Sequence, residues 1–186
     1  HAAAASPWPL AYRDIKPETD RTSRVCGPKA RYACETRAVI EIRAPAACEI
    51  ASVVRVWHET KRDTYDFIPL EQGRTLDEDA ALFRREILPR SSVWIAIEGA
   101  DLLGFIALRG SYVDRLYVHP DRQRRGVGEA LLRRALALSP QGLELHTHVK
   151  NVKARAFYEK HGFRAVRFGV SPPPESEPDV EYQLRP

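Results

Sequence analysis

The sequence predicts one mixed α/β domain over residues 38–186, with antiparallel N-terminal strands, a parallel central crossover and about four helices. Three observations carry this. "SVWIAIE", "DLLGFIALR" and "YVDRLYVH" are apolar runs separated only by Gly99 to Asp101 and by Gly110, and connections that short join antiparallel neighbours. A helical pattern from Gly126 to Leu138 then stands between "YVDRLYVH" and "LELHTHV", which calls for a parallel, right-handed crossover. The length, 186 residues, fits one core rather than two.

Taken in order, residues 1–37 carry Pro7, Pro9, Pro17 and Pro28 without any sustained period, and read as an N-terminal extension outside the core. "AVIEIR" alternates as a strand does, and Pro45 marks the start of a helix. Ile50, Val53, Val54 and Trp57 fall at i, i+3, i+4 and i+7, one apolar stripe, with Trp57 expected in the core. Thr75 and Glu78 have the spacing of a reciprocal N-terminal cap, and Leu76, Ala80, Phe83 and Ile87 follow on one face. Between these helices "DTYDFIPLEQG" is a loop whose aromatic and apolar groups have no local partner. After the crossover come a helix from Val152 to His161, the strand "FRAVRFGV", the stiff connector "SPPPESEP" and a last strand, "DVEYQLR".

Composition narrows the function classes. With 44% hydrophobic and 29% charged residues and no apolar run near the roughly 18 that a span needs, a membrane role is set aside. The net charge is +4, and the stretch from Arg115 to Arg134 alone carries that surplus: Arg115, Arg122, Arg124, Arg125, Arg133 and Arg134 against Asp121 and Glu129. Cys26, Cys34 and Cys48 lack paired short spacing, and "HAAAASPWPLA" lacks the basic flank and long apolar run of a secretory signal, so reduced thiols and a cytoplasmic location are expected. His146 and His148 share one strand face, yet no third ligand has suitable spacing, so no metal is expected.

The chemistry concentrates in "VHPDRQRRGVG". Its glycines let backbone approach a ligand, and the helix that follows leaves its first amides unpaired at the positive end of its dipole, which together suit an anion. With the later "NVKARAFYEKHGF", the stretch "LYVHPDRQRRGVGEALL" resembles the acetyl-CoA-binding core of the GNAT superfamily of N-acetyltransferases, whose phosphate loop reads Q/R-x-x-G-x-G/A. Gln123, Gly126 and Gly128 fill its three defined positions. The likeness is most specific from Val113 to Phe163 and leaves residues 1–37 outside.

The resemblance implies acetyl-CoA as cosubstrate, its pyrophosphate on the amides of Gln123, Arg124, Arg125, Gly126, Val127 and Gly128. It implies that the backbone of Leu116, Tyr117 and Val118 bonds the pantetheine arm, that Asn151 approaches that arm, and that the Val118 amide steadies an oxyanion. Tyr158 takes the place of a tyrosine that protonates the departing thiolate, although a stripe of Ala154, Phe157, Tyr158 and His161 also suits a core position. An acceptor amine attacks the acetyl carbonyl directly, which needs a base. Asp114, read as sharing the face of Leu116 and Val118, is the first candidate, with His119, Glu144, His146 and His148 beside it. Tyr65, Phe67, Ile68 and His146 are expected to meet the acceptor, a small-molecule amine being favoured over a protein. A homodimer is left open. Two other readings stand beside this one: an acyl-CoA-binding sensor without turnover, and a basic nucleic-acid-binding module, which needs cations spread along a groove rather than gathered at a glycine turn.

Overall fold

The computed structural model describes residues 39–185; the extension expected over 1–37, with Cys26 and Cys34, lies outside the described residues. The chain runs β1 (Glu41–Arg43), α1 (Ile50–Thr64), α2 (Pro69–Gly73), α3 (Leu76–Leu82), β2 (Ser92–Glu98), β3 (Asp101–Arg109), β4 (Tyr112–Val118), α4 (Val127–Leu138), β5 (Leu143–His148), α5 (Val152–Lys160), β6 (Arg164–Val170) and β7 (Pro178–Leu184). They form one seven-stranded sheet in the order β1-β2-β3-β4-β5-β7-β6. Its β1 to β4 half is antiparallel, β4 and β5 are parallel, and β7 is antiparallel to both of its neighbours.

Two elements depart from the sequence pattern. Part of the loop after α1 winds into α2, started by Pro69, whose missing N–H costs nothing in a first turn. The last strand inserts between β5 and β6 instead of adding at the edge. Its Val180 and Tyr182 are fully buried, whereas no residue of β6 is, so β6 is left as the exposed edge. The cap at α3 forms as its spacing requires: the Thr75 N–H donates to the Glu78 carboxylate at 2.8 Å and the Glu78 N–H to the Thr75 hydroxyl at 3.3 Å. Leu76 stays exposed, while Phe83 and Ile87 of the same stripe are buried, because only the later turns reach the sheet. Among the described residues, no helix is long and apolar enough to cross a membrane.

Each sheet face has its own core. On one, α4 and α5 cover Ile106, Leu108, Val113 and Leu145; on the other, α1 and α3 pack Trp57 and Phe83 on Ile95, Phe105 and Ala107. The faces do not follow simple alternation along β4. Ala107 pairs with Arg115 and Leu108 with Val113, which leaves Asp114 as one extra residue, a β-bulge. Val113 and Leu116 therefore both join the α4 core, and Arg115 and Tyr117 turn toward α1. Asp114 does not share the face of Leu116 and Val118, contrary to the period-two reading. It lines both the main cavity beside β4 and a small hollow under α3 with Arg115, Glu86 and Ile87. Beyond the bulge β4 parts from β5, and Tyr112 with Glu144 is the one register pair that joins them.

The helical layer over β4 is tied by buried charge. Lys61 of α1 donates to Glu71 of α2 and to Asp79 of α3, each at 2.6 Å, and Asp79 also meets His58 Nδ1 at 2.8 Å. The Lys61 ammonium also lies 4.2 Å from the centre of the Trp57 ring. Lys61, Glu71 and Asp79 are 3%, 6% and 0% exposed, so removing one partner strands the others in a medium that solvates charge poorly. Lys61→Met should therefore lower the unfolding free energy in urea by about 3–5 kcal/mol. A loss below about 1 kcal/mol, the worth of an exposed pair, would show that the network does not hold the helices.

Candidate active site

The loop that follows β4 is shaped by short-range bonds. The His119 N–H donates to the Leu103 carbonyl at 2.9 Å, the Arg122 N–H to the His119 carbonyl at 2.8 Å, and the Gln123 side-chain amide back to the Val118 carbonyl at 3.2 Å. The backbone then enters the left-handed region twice, at Arg124 (φ +62°) and Gly126 (φ +83°). For Gly126 this is free of strain; for Arg124 it costs about 1 kcal/mol. Successive N–H groups are turned to one side of such a loop, and α4 starts immediately after it. Among the described residues, no acceptor meets the amides of 124–129, the group that a helix start leaves open. Gly128 has an added reason: a Cβ there would sit 3.3 Å from the Phe157 ring, where α4 crosses α5. The Val127 side chain is core, 1% exposed, and contributes only its amide to this edge.

Divergence of β4 from β5 opens a cavity of about 680 Å³, lined on one side by Leu116 and on the other by His146, Thr147 and His148, with Asn151, Ala154 and Tyr158 of α5 at its floor. Because the His119 N–H points to β3, period two directs the Leu116 and Val118 amides to the opposite edge, toward the gap. Only Leu116 of these two lines the cavity. The Val118 carbonyl is occupied by Gln123 and, at 3.4 Å, by the Thr60 hydroxyl. Asn151 caps α5, its side-chain oxygen accepting the Ala154 N–H at 3.1 Å, which leaves its amide NH₂ for the cavity.

Tyr158 is 7% exposed and its ring packs against Phe157, Phe163 and Tyr182, so the core reading and the cavity reading hold together. Its hydroxyl meets no hydrogen-bond partner among the described residues. Burial, then the neighbouring Tyr65 and Tyr112, push its phenol well above the ordinary value, so it keeps its proton at every physiological pH. It can donate a hydrogen bond in the gap; it cannot serve as a base.

The opposite side of the gap is where α1, the loop after it and the β6–β7 connection meet. Tyr65 lines the cavity, its hydroxyl 3.4 Å from that of Tyr117, and burial raises both phenols. The Tyr117 ring stacks on Phe105 and belongs to this side. Phe67 packs edge-on against Tyr65 and His148 without lining the cavity. Ile68, expected to meet the acceptor, is 2% exposed and is a core residue that fixes the start of α2. His146 is exposed at the rim beside the Tyr112 hydroxyl, 3.4 Å away.

Asp114, the first candidate base, is held by Arg109 and by Arg115 at 3.5 Å, since the bulge aims its carboxylate at those guanidinium groups. His119 bonds Glu59 at 3.0 Å outside the cavity, and Glu144 also lies outside it. The cavity also includes the carboxylates of Glu71, at the end of the acidic loop after α1, and of Glu175, Asp179 and Glu181. Period two along "DVEYQ" puts Asp179 and Glu181 on one face, but no local signal says that this strand lies against β5. There Asp179 faces His148 and Glu181 faces His146. The stiff connector 171–177, whose sequence also allowed a place at the rim of the site, contributes Ser171, Pro172 and Glu175 to it.

The arginines clustered around the loop are mostly paired on the protein itself. Arg115 meets Asp114, Arg122 meets Asp101 at 2.9 Å, Arg125 meets Glu98 at 3.5 Å, Arg133 meets Glu129 at 2.9 Å, and Arg134 stacks over Trp94. That pairing leaves no continuous basic groove of the kind nucleic acid needs. Among the described residues, no group of three or more His, Cys, Asp and Glu side chains has the arrangement of a metal site.

Comparison with known proteins agrees with this geometry. Residues 89–165 match the family model described as an acetyltransferase (GNAT) domain. Two relatives named peptidyl-lysine N-acetyltransferase YjaB cover 69% of the chain: that of Escherichia coli at 35% identity over 84% of its length, and that of Salmonella typhimurium at 32% over 86%. The solution structure of apo YjaB from Escherichia coli superimposes with a TM-score of 0.63 at 28% identity, covering 78% of this chain and 97% of that one. The chain belongs to the GNAT acetyltransferase family. It is accordingly an acyltransferase, an N-acetyltransferase whose cosubstrate is acetyl-CoA.

The free amides of 124–129 and the left-handed turn at Gly126 fit the diphosphate of that cosubstrate. Gly126→Asp has open space for its side chain but takes up a left-handed φ of +83° at a cost of about 1 kcal/mol, which a domain can absorb, and its carboxylate would face the same anion. Acetyl-CoA at a hundred times the wild-type Kd stabilises the native state by about 2.7 kcal/mol. The variant should lose that thermal shift, and an undiminished shift would show that the diphosphate rests elsewhere.

Proposed function

We propose that this domain, residues 38–186, moves the acetyl group from acetyl-CoA to a primary alkylamine by direct attack, the thioester lying in the gap between β4 and β5. The gap is the observation that carries the reading. It joins a side with unpaired amides and a protonated phenol to a side with carboxylates, which matches an anionic donor and a cationic acceptor.

Gln123 to Gly128 would hold the diphosphate, and the outward edge of β4 would bond the pantetheine arm as a further strand does. The Leu116 amide, which points into the cavity, is a better donor to the developing oxyanion than that of Val118. Tyr158 would steady the sulfur as it takes up charge. Its raised pKa disfavours early proton loss, so the phenol gives up its proton only once the C–S bond is largely broken.

The acceptor is proposed to be a lysine side chain, a narrow stem with a cation at its end, and the printed names of the two YjaB relatives support this. One observation keeps a small polyamine as the second reading: no lysine or arginine lies within ion-pair distance of Glu175 or Asp179 among the described residues, and two free carboxylates suit more than one ammonium group. Thiol release with a lysine peptide, spermidine and an aminoglycoside decides between them by the ratio of kcat/KM values. Stabilisation by acetyl-CoA with no release on any of the three would return the sensor reading. In the same assay Tyr158→Phe should lower kcat by roughly 100-fold or more while the acetyl-CoA thermal shift stays as in the wild type. Unchanged turnover would remove Tyr158 from the mechanism.

A further inference from the structure

We propose that His148 is the general base of this transfer, taking the acceptor's proton on Nε2, and that Glu175 of the β6–β7 connection holds the acceptor ammonium beside it; the inference rests on the acetyl-transfer reading above. The other groups along the cavity that could take a proton are placed differently. Lys61 clamps Glu71, two guanidinium groups hold Asp114, Arg167 bonds Glu181, His146 stands at the exposed rim, and Asp179 lies in β7 opposite His148 itself. The His148 side chain is only 12% exposed and its ring is fixed edge-on against Tyr65, 5.3 Å between centroids, and Phe67, 6.0 Å. A ring so packed presents one nitrogen in one direction.

The two nitrogens have different surroundings. Nδ1 is buried and meets no partner, whereas Nε2 lies 3.5 Å from the Glu175 carboxylate, in a cavity that both side chains line. An ammonium bound between Nε2 and Glu175 selects the tautomer with the ring hydrogen on Nδ1, whose Nε2 lone pair faces the cavity. An ammonium placed there donates one N–H to Nε2 and another to Glu175. The groups that face the imidazole are Glu175 from the connector, Asp179 opposite it in β7, and Tyr65 and Phe67 from the loop, with the Lys150 ammonium on the Phe67 ring.

The connector is held in place to do this. Its Ser171 N–H donates to the Glu177 carbonyl at 2.8 Å, the Glu177 N–H returns to the Ser171 hydroxyl at 3.1 Å, and Lys150 bonds the Glu177 carboxylate at 3.0 Å. His148 thus lies on the acceptor side of the gap and Tyr158 is on α5, across it. The ammonium gives one proton to His148 and the freed lone pair forms the N–C bond. The C–S bond breaks with its electron pair on sulfur, which takes the Tyr158 proton. The second nitrogen proton returns to the phenolate as the amide forms, and His148 releases its own to solvent. The sum is one amide, one thiol and one proton.

The test is the pH profile of thiol release with the lysine peptide, spermidine and the aminoglycoside for wild type, His148→Gln and Glu175→Gln, with Glu175→Asp as the conservative control. A base must be neutral to act, so wild-type kcat/KM should fall on the acidic side of its profile as the base takes up a proton. His148→Gln should lose roughly 100-fold in kcat and that acidic limb together, its rate rising with hydroxide instead, while acetyl-CoA still raises its melting temperature. Glu175→Gln, altered on the surface connector, should raise the amine KM about tenfold and Glu175→Asp should recover part of it. A His148→Gln profile parallel to the wild type, or a Glu175→Gln KM unchanged, overturns the assignment. If His148→Gln does not fold, the Glu175 pair alone decides. Wild type that releases no thiol with any of the three amines is a different failure, that of the acetyl-transfer reading, and takes this inference with it.

Discussion

One extra residue in one strand organises the molecule. Asp114 has no partner in β3, so β4 bends at that point and leaves β5 after a single register pair. A sheet with no such bulge would keep pairing, and its backbone groups would be spent on the ladder. Here the Leu116 and Val118 edge is released, and a passage opens through the sheet. The bulge also changes which side chains face which core, so that Leu116 faces α4 while Arg115 and Tyr117 face α1. The carboxylate that marks the bulge is pinned by Arg109 and Arg115, which gives it a structural role rather than a chemical one.

The two mouths of that passage carry opposite electrostatics, and neither arises from net charge. On one side the field comes from backbone: open amides at the start of α4, presented by two residues in the left-handed region. The arginines around them are largely paired with nearby acids, so the positive potential there comes from dipoles more than from ions. On the other side the field comes from side chains of three separate segments, α2, the β6–β7 connection and β7. The low local dielectric strengthens both, since each lies in a cleft partly walled by aromatic rings.

Rigidity on the acceptor side is assembled from polar contacts as much as from packing. Lys61 joins three helices through two buried carboxylates, and its burial makes that arrangement costly to disturb. The connector is tied down by Ser171, Glu177 and Lys150. Aromatic contacts run from Trp57 through Tyr117 to Phe105, and separately from Tyr65 and Phe67 to His148, so rings on which function is proposed to depend are also part of the fold. Tyr158 shows the same double use on the other face.

Residue order alone determined the elements governed by short-range physics. The reciprocal cap at Thr75 and Glu78, the hairpins at Gly99 and Gly110, and the glycine turn that opens α4 are all set by groups a few residues apart, and each was legible there. So was the run of open amides at the start of α4, because glycine spacing and a following helix are local facts. Tertiary structure alone decided what depends on neighbours distant in the chain. A bulge shifts facing by one residue without any mark at Asp114, and Ile68 is buried by elements its own loop does not contain. Placing β7 beside β5 brings Asp179 and Glu181 against His148 and His146, and folding the connector over them brings Glu175 to His148. Strand order is a contest of burial among whole strands, and no window of sequence contains its outcome.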